Sequence, residues 1–281
     1  MRFCARVAFF RHLKYIQTEM KKLSQLMMIG ALVLIQSCNE KPQLVWQDEF
    51  DGRELDTTRW TAYVGDGCPD LCGFGNNELQ YYTDRPENIN LAHGILTITA
   101  LADSFKTRAY SSAKLITKNK GDWKYGRVEV RARIPKGRGN WPAIWMLPTT
   151  NNYGGWPKSG EIDIMEHVGY DQGNLHGTVH TEAFNHLKGT QKVDSVQVAD
   201  ISDKFHVYAI EWDEDKIDFF LDDEKYFTFE NSGNGYAEWP FDQPFYLILN
   251  LAVGGGWGGK KGIANDIFPN RFEIDYVRVY Q

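Results

Sequence analysis

Long apolar runs are missing from this chain of 281 residues: the longest, Leu26-Met27-Met28-Ile29-Gly30-Ala31-Leu32-Val33-Leu34-Ile35, has ten. A helix that spans a bilayer needs about 20. The run therefore excludes a transmembrane anchor and fits the apolar region of a signal peptide. An excess of basic charge is missing too. The chain carries 31 Lys/Arg against 37 Asp/Glu, and residues 1–37 hold six of the bases and one of the acids. Their removal leaves 25 against 36, a net charge of −11. So acidic a surface argues against nucleic acid or anionic lipid as a partner. Cysteine is scarce, with four in all, and Cys68 and Cys72 have no further Cys or His beside them to complete a zinc site. Internal repeats, low-complexity tracts and linkers are absent, so one domain is expected.

What the N-terminus does have is a basic flank, the apolar run, and the ending Leu34-Ile35-Gln36-Ser37-Cys38. This resembles a bacterial lipoprotein signal, which implies cleavage before Cys38 and a lipid attached to it. An ordinary secretory peptide with Cys38 incidental is the alternative. Met20-Lys21-Lys22 offers a second translation start. The expected layout is a signal peptide over 1–37, a tether over 38–43 and a folded domain over 44–281. The expected location is the cell envelope as an anchored lipoprotein, with the outer membrane the first choice, or secretion. In an oxidising compartment Cys68 and Cys72, in Cys68-Pro69-Asp70-Leu71-Cys72, are expected to pair and stiffen that small loop.

From Leu44 onward apolar residues recur at period two, as in Ile95–Leu101, Gly126–Ile134, Lys216–Leu221 and Phe272–Tyr280. Such alternation marks half-buried strands. Turn clusters such as Asn151-Asn152-Tyr153-Gly154-Gly155 and Asn231-Ser232-Gly233-Asn234-Gly235 separate them, and no long amphipathic helix intervenes. Many short strands without crossover helices predict an all-β fold, a sandwich or jelly roll of antiparallel sheets. Asp213-Glu214-Asp215-Lys216 lacks the glycine and terminal glutamate of an EF-hand and reads as a hairpin turn.

The segment Gly160-Glu161-Ile162-Asp163-Ile164-Met165-Glu166-His167 starts as a regular strand, with Glu161 and Asp163 on one face and Ile162 and Ile164 on the other. Strict alternation would send Glu166 into the apolar face, where an unpaired carboxylate costs several kcal/mol. A bulge of one residue at Met165 returns it to the face of Glu161 and Asp163. Treated as about four strand steps of ~3.3 Å, the span separates the Glu161 and Glu166 backbones by roughly 13 Å. Long side chains leaning together can close that gap to the ~5 Å of a retaining glycosidase.

This segment resembles the catalytic signature of glycoside hydrolase family 16 in its bulged, laminarinase-like form. The resemblance extends over residues 44–281 through Asn76-Asn77-Glu78-Leu79-Gln80-Tyr81-Tyr82, Asn140–Leu147, His176-Gly177-Thr178-Val179-His180 and Gly254–Gly259. It implies a concanavalin A-like jelly roll with a concave cleft and an endo-acting enzyme that hydrolyses β-1,3-glucan with retention. Glu161 would be the nucleophile, Glu166 the acid/base, and Asp163 the neighbour that helps keep their pKa values apart. Trp141, Trp145 and Trp257 match family positions that stack on sugar, and Asn77 and His180 match positions that hydrogen-bond it. Trp141 and Trp145 share a strand face, and Pro142 between them restricts pairing there to an edge or bulge. No cofactor is implied for catalysis. A structural calcium is, with Glu49, Gly94 and Asp275 at the matching positions; oxygen-only ligation suits that ion. His176 and His180 also share a face, but no third zinc ligand accompanies them. Gly254–Gly259 lacks the Gly-Lys-Ser/Thr ending of a phosphate loop and reads as a cleft-edge loop. Lys114 stands where relatives frequently have arginine, and is left outside the expected site.

Two other readings compete. The same fold serves sugar-binding modules, although these have no need of two glutamates flanking an aspartate. Relatives also cut mixed-linkage β-1,3-1,4-glucan, agar or carrageenan; sulfated galactans would require more basic subsites than this acidic chain offers. Transglycosylation uses the same covalent intermediate with a different acceptor. A β-glucan polysaccharide is the expected partner, the membrane is met only through Cys38, and a monomer is expected.

Overall fold

Each stretch of period-two alternation becomes a strand, the conformation that sends successive side chains to opposite faces. The computed structural model describes residues 41–281. In chain order its strands are β1 (Leu44–Asp48), β2 (Thr61–Ala62), β3 (Gln80–Tyr82), β4 (Ile89–Ala92), β5 (Ile95–Ala100), β6 (Tyr110–Ser112), β7 (Lys114–Ile116), β8 (Asp122–Trp123), β9 (Gly126–Arg133), β10 (Asn140–Pro148), β11 (Glu161–Glu166), β12 (Asn174–His180), β13 (Lys192–Gln197), β14 (His206–Trp212), β15 (Lys216–Leu221), β16 (Glu224–Glu230), β17 (Phe245–Val253) and β18 (Asn270–Tyr280). Among the described residues helix is confined to two 3-10 turns, Cys72–Gly75 and Asn265–Ile267.

Two sheets of eight strands form a sandwich. One runs β16-β15-β14-β9-β18-β5-β4, with β1 beside β18; the other runs β13-β12-β11-β10-β17-β7-β2, with β8 beside β17. Within both, every pairing is antiparallel. The small β3–β6 pair, which is parallel, lies outside the two sheets. The inner faces meet in one core. Val128, Val130, Tyr208, Ile210 and Val277 come from the first sheet, and Ile144, Met146, Ile162, Leu247 and Leu249 from the second, all fully buried. Each such side chain contributes about 1.5–3 kcal/mol by leaving water, and this holds the two sheets together.

That second sheet is built around β10 and β17, which pair over nine consecutive residues from Asn140↔Val253 to Pro148↔Phe245 without a slip. Pro142 is accommodated because β10 outruns β11 there. Register with β11 begins only at Ala143↔Glu166, and the Pro142 carbonyl accepts from His167 N at 3.4 Å. The missing N–H therefore faces the end of β11 rather than its ladder, an edge-like position inside a sheet.

At the N-terminal end the folded unit starts slightly earlier than the expected boundary at 44. Gln43 and Gln281 exchange backbone hydrogen bonds of 2.7 and 2.9 Å, which ties the last residue of the expected tether to the sandwich, and Pro42–Gln281 is one compact unit. The apolar run, Met20, Cys4 and the lipidation position Cys38 lie outside the described residues. Cys68 and Cys72 are joined in a disulfide, with Cα atoms 4.2 Å apart. No helix of the described residues is long and apolar enough to cross a membrane.

Candidate active site

The chemistry is set up by an irregularity in β11. Against β10, Met165 pairs with Ile144 and Asp163 with Trp145, so Ile164 is the extra residue. Against β12, Asp163 pairs with Thr178 and Glu166 with His176, so only Gly177 stands opposite Ile164 and Met165. The bulge thus spans Ile164–Met165, with its unpaired residue one position earlier than Met165. Both side chains are buried in the core. Two successive residues facing inward are what returns Glu166 to the outer face with Glu161 and Asp163.

Across the ladder, Glu161 sits opposite His180 and Glu166 opposite His176. His180 Nε2 is 3.4 Å from Asp163 Oδ2 and 3.7 Å from Glu161 Oε1. Ligand atoms of Glu161, Asp163 and His180 lie within 4.8 Å of one another, the one such grouping among the described residues. His176 stands apart from it, its ring edge-on to Trp257 at 5.2 Å.

Burial dominates the electrostatics. It raises the pKa of Glu161, Asp163 and Glu166; repulsion from Glu166 adds to it at Glu161, and repulsion from both glutamates adds at Asp163. Donors act in the opposite sense and unequally. Glu161 Oε2 accepts from Trp156 Nε1 at 3.1 Å and feels the ammonium of Lys114. Glu166 Oε1 accepts only from Trp141 Nε1, at 3.0 Å. Two groups thus favour the charged form at Glu161 and one at Glu166, but burial and the repulsion from Glu166 outweigh them, raising Glu161 to about 8 and Glu166 to about 7. Burial, with repulsion from His186, lowers the His180 pKa to about 4, so this imidazole is neutral near pH 7 and adds no charge beside Asp163.

A raised carboxyl has a consequence for stability. Asp163, 3% exposed, keeps its proton in the fold at pH values where the unfolded chain releases it, so its destabilising effect is absent in acid and grows as pH rises through the unfolded value near 3.8. Asp163→Asn is expected to melt higher than the parent at pH 7, with the gap closing below about pH 4. Thermal unfolding at a series of pH values checks this; a gap that widens toward acid would refute it.

The aromatic floor lies around these groups. Trp141 and Trp145 are half-buried on the same face of β10, and Trp257 meets Trp141 edge-on at 5.4 Å. The glycine loop exists to allow this: a Cβ on Gly258 would stand 2.6 Å from Gly254 O and 2.8 Å from Trp141 Cβ. Asn77, exposed and in the left-handed region at φ 57°, sits in the neighbouring loop, which Gly256 N joins through Asn76 O at 2.7 Å.

Sequence reading passed over four contributors. Trp145 Nε1 donates to Asn250 Oδ1 at 2.6 Å, Asn250 to Tyr82 OH at 3.0 Å, and Tyr82 to the buried Glu78 at 3.3 Å. Asn250 and Glu78 therefore hold a cleft tryptophan from beneath. Lys114 belongs to the site after all. Its ammonium lies 4.9 Å over Trp145, 5.0 Å over Phe74 and 5.5 Å over Tyr63. Burial lowers its pKa while the charges of Glu78 and Glu161 oppose the shift. Trp156 is the fourth. Glu78 lay within a quoted block and Trp156 five residues before Glu161, but nothing in residue type separates such groups from core or surface.

The expected calcium positions meet only in part. Glu49 O lies 3.9 Å, and Asp51 Oδ1 3.7 Å, from where a Cβ on Gly94 would stand, so the backbone near Gly94 and the Glu49 carbonyl converge. The carboxylate of Asp275 instead pairs with Arg131, and that of Glu49 with Arg278 at 2.8 and 2.9 Å.

Two half-buried glutamates, each with its own indole donor, an aspartate between them and a tryptophan floor make the catalytic arrangement of a two-carboxylate glycoside hydrolase. The chain belongs to family 16 of the glycosyl hydrolases, whose model matches residues 76–278. It is 50% identical over 248 residues to the β-glucanase of Rhodothermus marinus, covering 85% of each chain. With the glucan endo-1,3-β-glucosidase A1 of Niallia circulans the identity is 40% over 263 residues, 85% of this chain and 38% of that one. The X-ray structure of the laminarinase from Rhodothermus marinus superposes with a TM-score of 0.82 at 50% identity, covering 85% of this chain and 97% of the other.

Proposed function

We propose that this protein hydrolyses internal β-1,3 links of a laminarin-type glucan with retention of configuration. The observation that carries the reading is the bulged β11, which sets Glu161 and Glu166 on one half-buried face with a different donor on each. The names of its relatives in Rhodothermus marinus and Niallia circulans support the substrate class. In the first step the Glu161 carboxylate bonds to the anomeric carbon while the glycosidic C–O bond breaks and Glu166 passes its proton to the departing oxygen. In the second, Glu166 takes a proton from water, the water oxygen attacks the same carbon, and Glu161 is released. Asp163 and the neutral His180 flank Glu161, and Trp141, Trp145, Trp257 and Asn77 take the sugar.

Product analysis tests this, using the chain from residue 39 on laminarin, mixed-linkage glucan and agarose beside Glu161→Ala. Short β-1,3 oligosaccharides from the parent and none from the variant support the reading. Binding without products would favour a sugar-binding module, and cleavage confined to agarose would overturn the substrate.

The same reading takes the protein to be exported and anchored through a lipid on Cys38, which metabolic labelling with a fatty acid, lost in Cys38→Ala, would test. It also includes a structural calcium held by the carbonyls of Glu49 and Gly94 and the carboxylate of Asp275, once Asp275 exchanges Arg131 for the ion. The ion would brace the sandwich away from the cleft. A ligand that binds only the folded state raises the melting temperature by mass action. Millimolar calcium is therefore expected to stabilise the parent, chelator to reverse this, and Asp275→Asn to be indifferent to both; an equal response of parent and variant would remove Asp275 from the site.

A further inference from the structure

Trp156 lies within the turn between β10 and β11 and is 39% exposed. An exposed indole ordinarily turns its N–H to water. This one donates to Glu161 Oε2 at 3.1 Å, the only hydrogen bond that carboxylate accepts among the described residues. The ring is braced by His186 at 5.1 Å and by His180 at 6.0 Å, and still leaves more than a third of its surface open. The arrangement mirrors Trp141, which donates to Glu166 at 3.0 Å. Reacting atoms must approach to about 3–3.5 Å, so a sugar placed for attack by Glu161 lies within reach of the Trp156 ring.

We propose that Trp156 is a positioning residue that couples substrate binding to nucleophile orientation: its ring takes the sugar adjoining the cleavage point while its N–H holds the Glu161 carboxylate on line. This rests on the reading of Glu161 as nucleophile. The other charged and titratable groups facing Glu161 are Asp163 and Glu166 on β11, His180 from β12, Lys114 from β7 and Tyr246 from β17. None of them hydrogen-bonds Glu161 among the described residues, so the indole N–H alone fixes its direction.

Trp156→Phe keeps a ring and removes the donor. On laminarin it is expected to lower kcat at least about tenfold, equivalent to about 1.4 kcal/mol, with KM within about twofold of the parent because uniform binding is kept. The acid limb of kcat/KM moves to higher pH, since a carboxylate without its donor is harder to deprotonate. Trp156→Ala adds a several-fold rise in KM, and Trp156→His, which retains a ring N–H, recovers part of kcat. Melting temperatures near that of the parent are expected for this open position and separate the effect from misfolding. A Trp156→Phe enzyme with the parent's kcat and acid limb, or one altered in KM alone, overturns the proposal. Laminarin hydrolysis surviving in Glu161→Ala would instead sink the nucleophile assignment, whatever the Trp156 variants do.

Discussion

Glu161→Ala is expected to lose laminarin hydrolysis by on the order of 10⁴-fold or more, the scale on which a covalent catalyst fails without its nucleophile. No neighbour substitutes for it. Asp163 is buried, and burial with repulsion from both glutamates disfavours its charged form; Glu166 stands on the far side of the bulge with its own donor. The vacated space admits a small anion, and with a substrate carrying a good leaving group, azide attacks from the side Glu161 occupied and gives a glycosyl azide of inverted configuration. Chromatography and NMR of the product check this. A product of retained configuration would mean that the two glutamates have exchanged roles.

Glu166→Ala is expected to behave differently in three respects. Loss on laminarin is about 10²- to 10⁴-fold, the usual contribution of a positioned acid/base. A dinitrophenyl glycoside, whose leaving group needs no proton, keeps a fast first step in this variant and shows a burst followed by slow turnover, because only the second step lacks its base. Azide then attacks the intermediate from the face opposite Glu161 and yields a product of retained configuration. Equal losses on both substrates, with no burst, would refute the acid/base role. Removal of this carboxyl also takes away the repulsion that raises the pKa of Glu161, so the acid limb of the residual activity is expected to move to lower pH.

Much of the fold was legible before any coordinates. Period-two alternation in Gly126–Ile134 and Phe272–Tyr280 became β9 and β18, because a strand is the only arrangement that buries every second residue of such a pattern. The bulge was legible for a sharper reason. A carboxylate at 166 in strict register would enter the core, and relieving that cost by adding a residue is simpler than burying the charge. Its location was less well determined, because Ile164 and Met165 are both apolar and either can be the extra one.

Partners contributed by distant strands were not legible. Glu78, Tyr82 and Asn250 form one chain of hydrogen bonds under Trp145 across separations of up to 168 residues, and no local pattern records a contact made at that range. Lys114, at a position where relatives frequently have arginine, sits over three aromatic rings and is attracted to Glu161. The Asp275 carboxylate pairs with Arg131, and cross-strand charge pairing competes with metal ligation in a way that sequence does not rank.

The strands and the shared face of Glu161, Asp163 and Glu166 were legible in the sequence, because they follow from local period and from the cost of burying charge. Tertiary structure alone decided which indole donates to which glutamate, that His180 is neutral beside Asp163, and that Lys114 and Glu78 belong to the site. Those outcomes depend on burial and on donor distances of about 3 Å, and both arise only when β7, β10, β11, β12 and β17 are brought side by side.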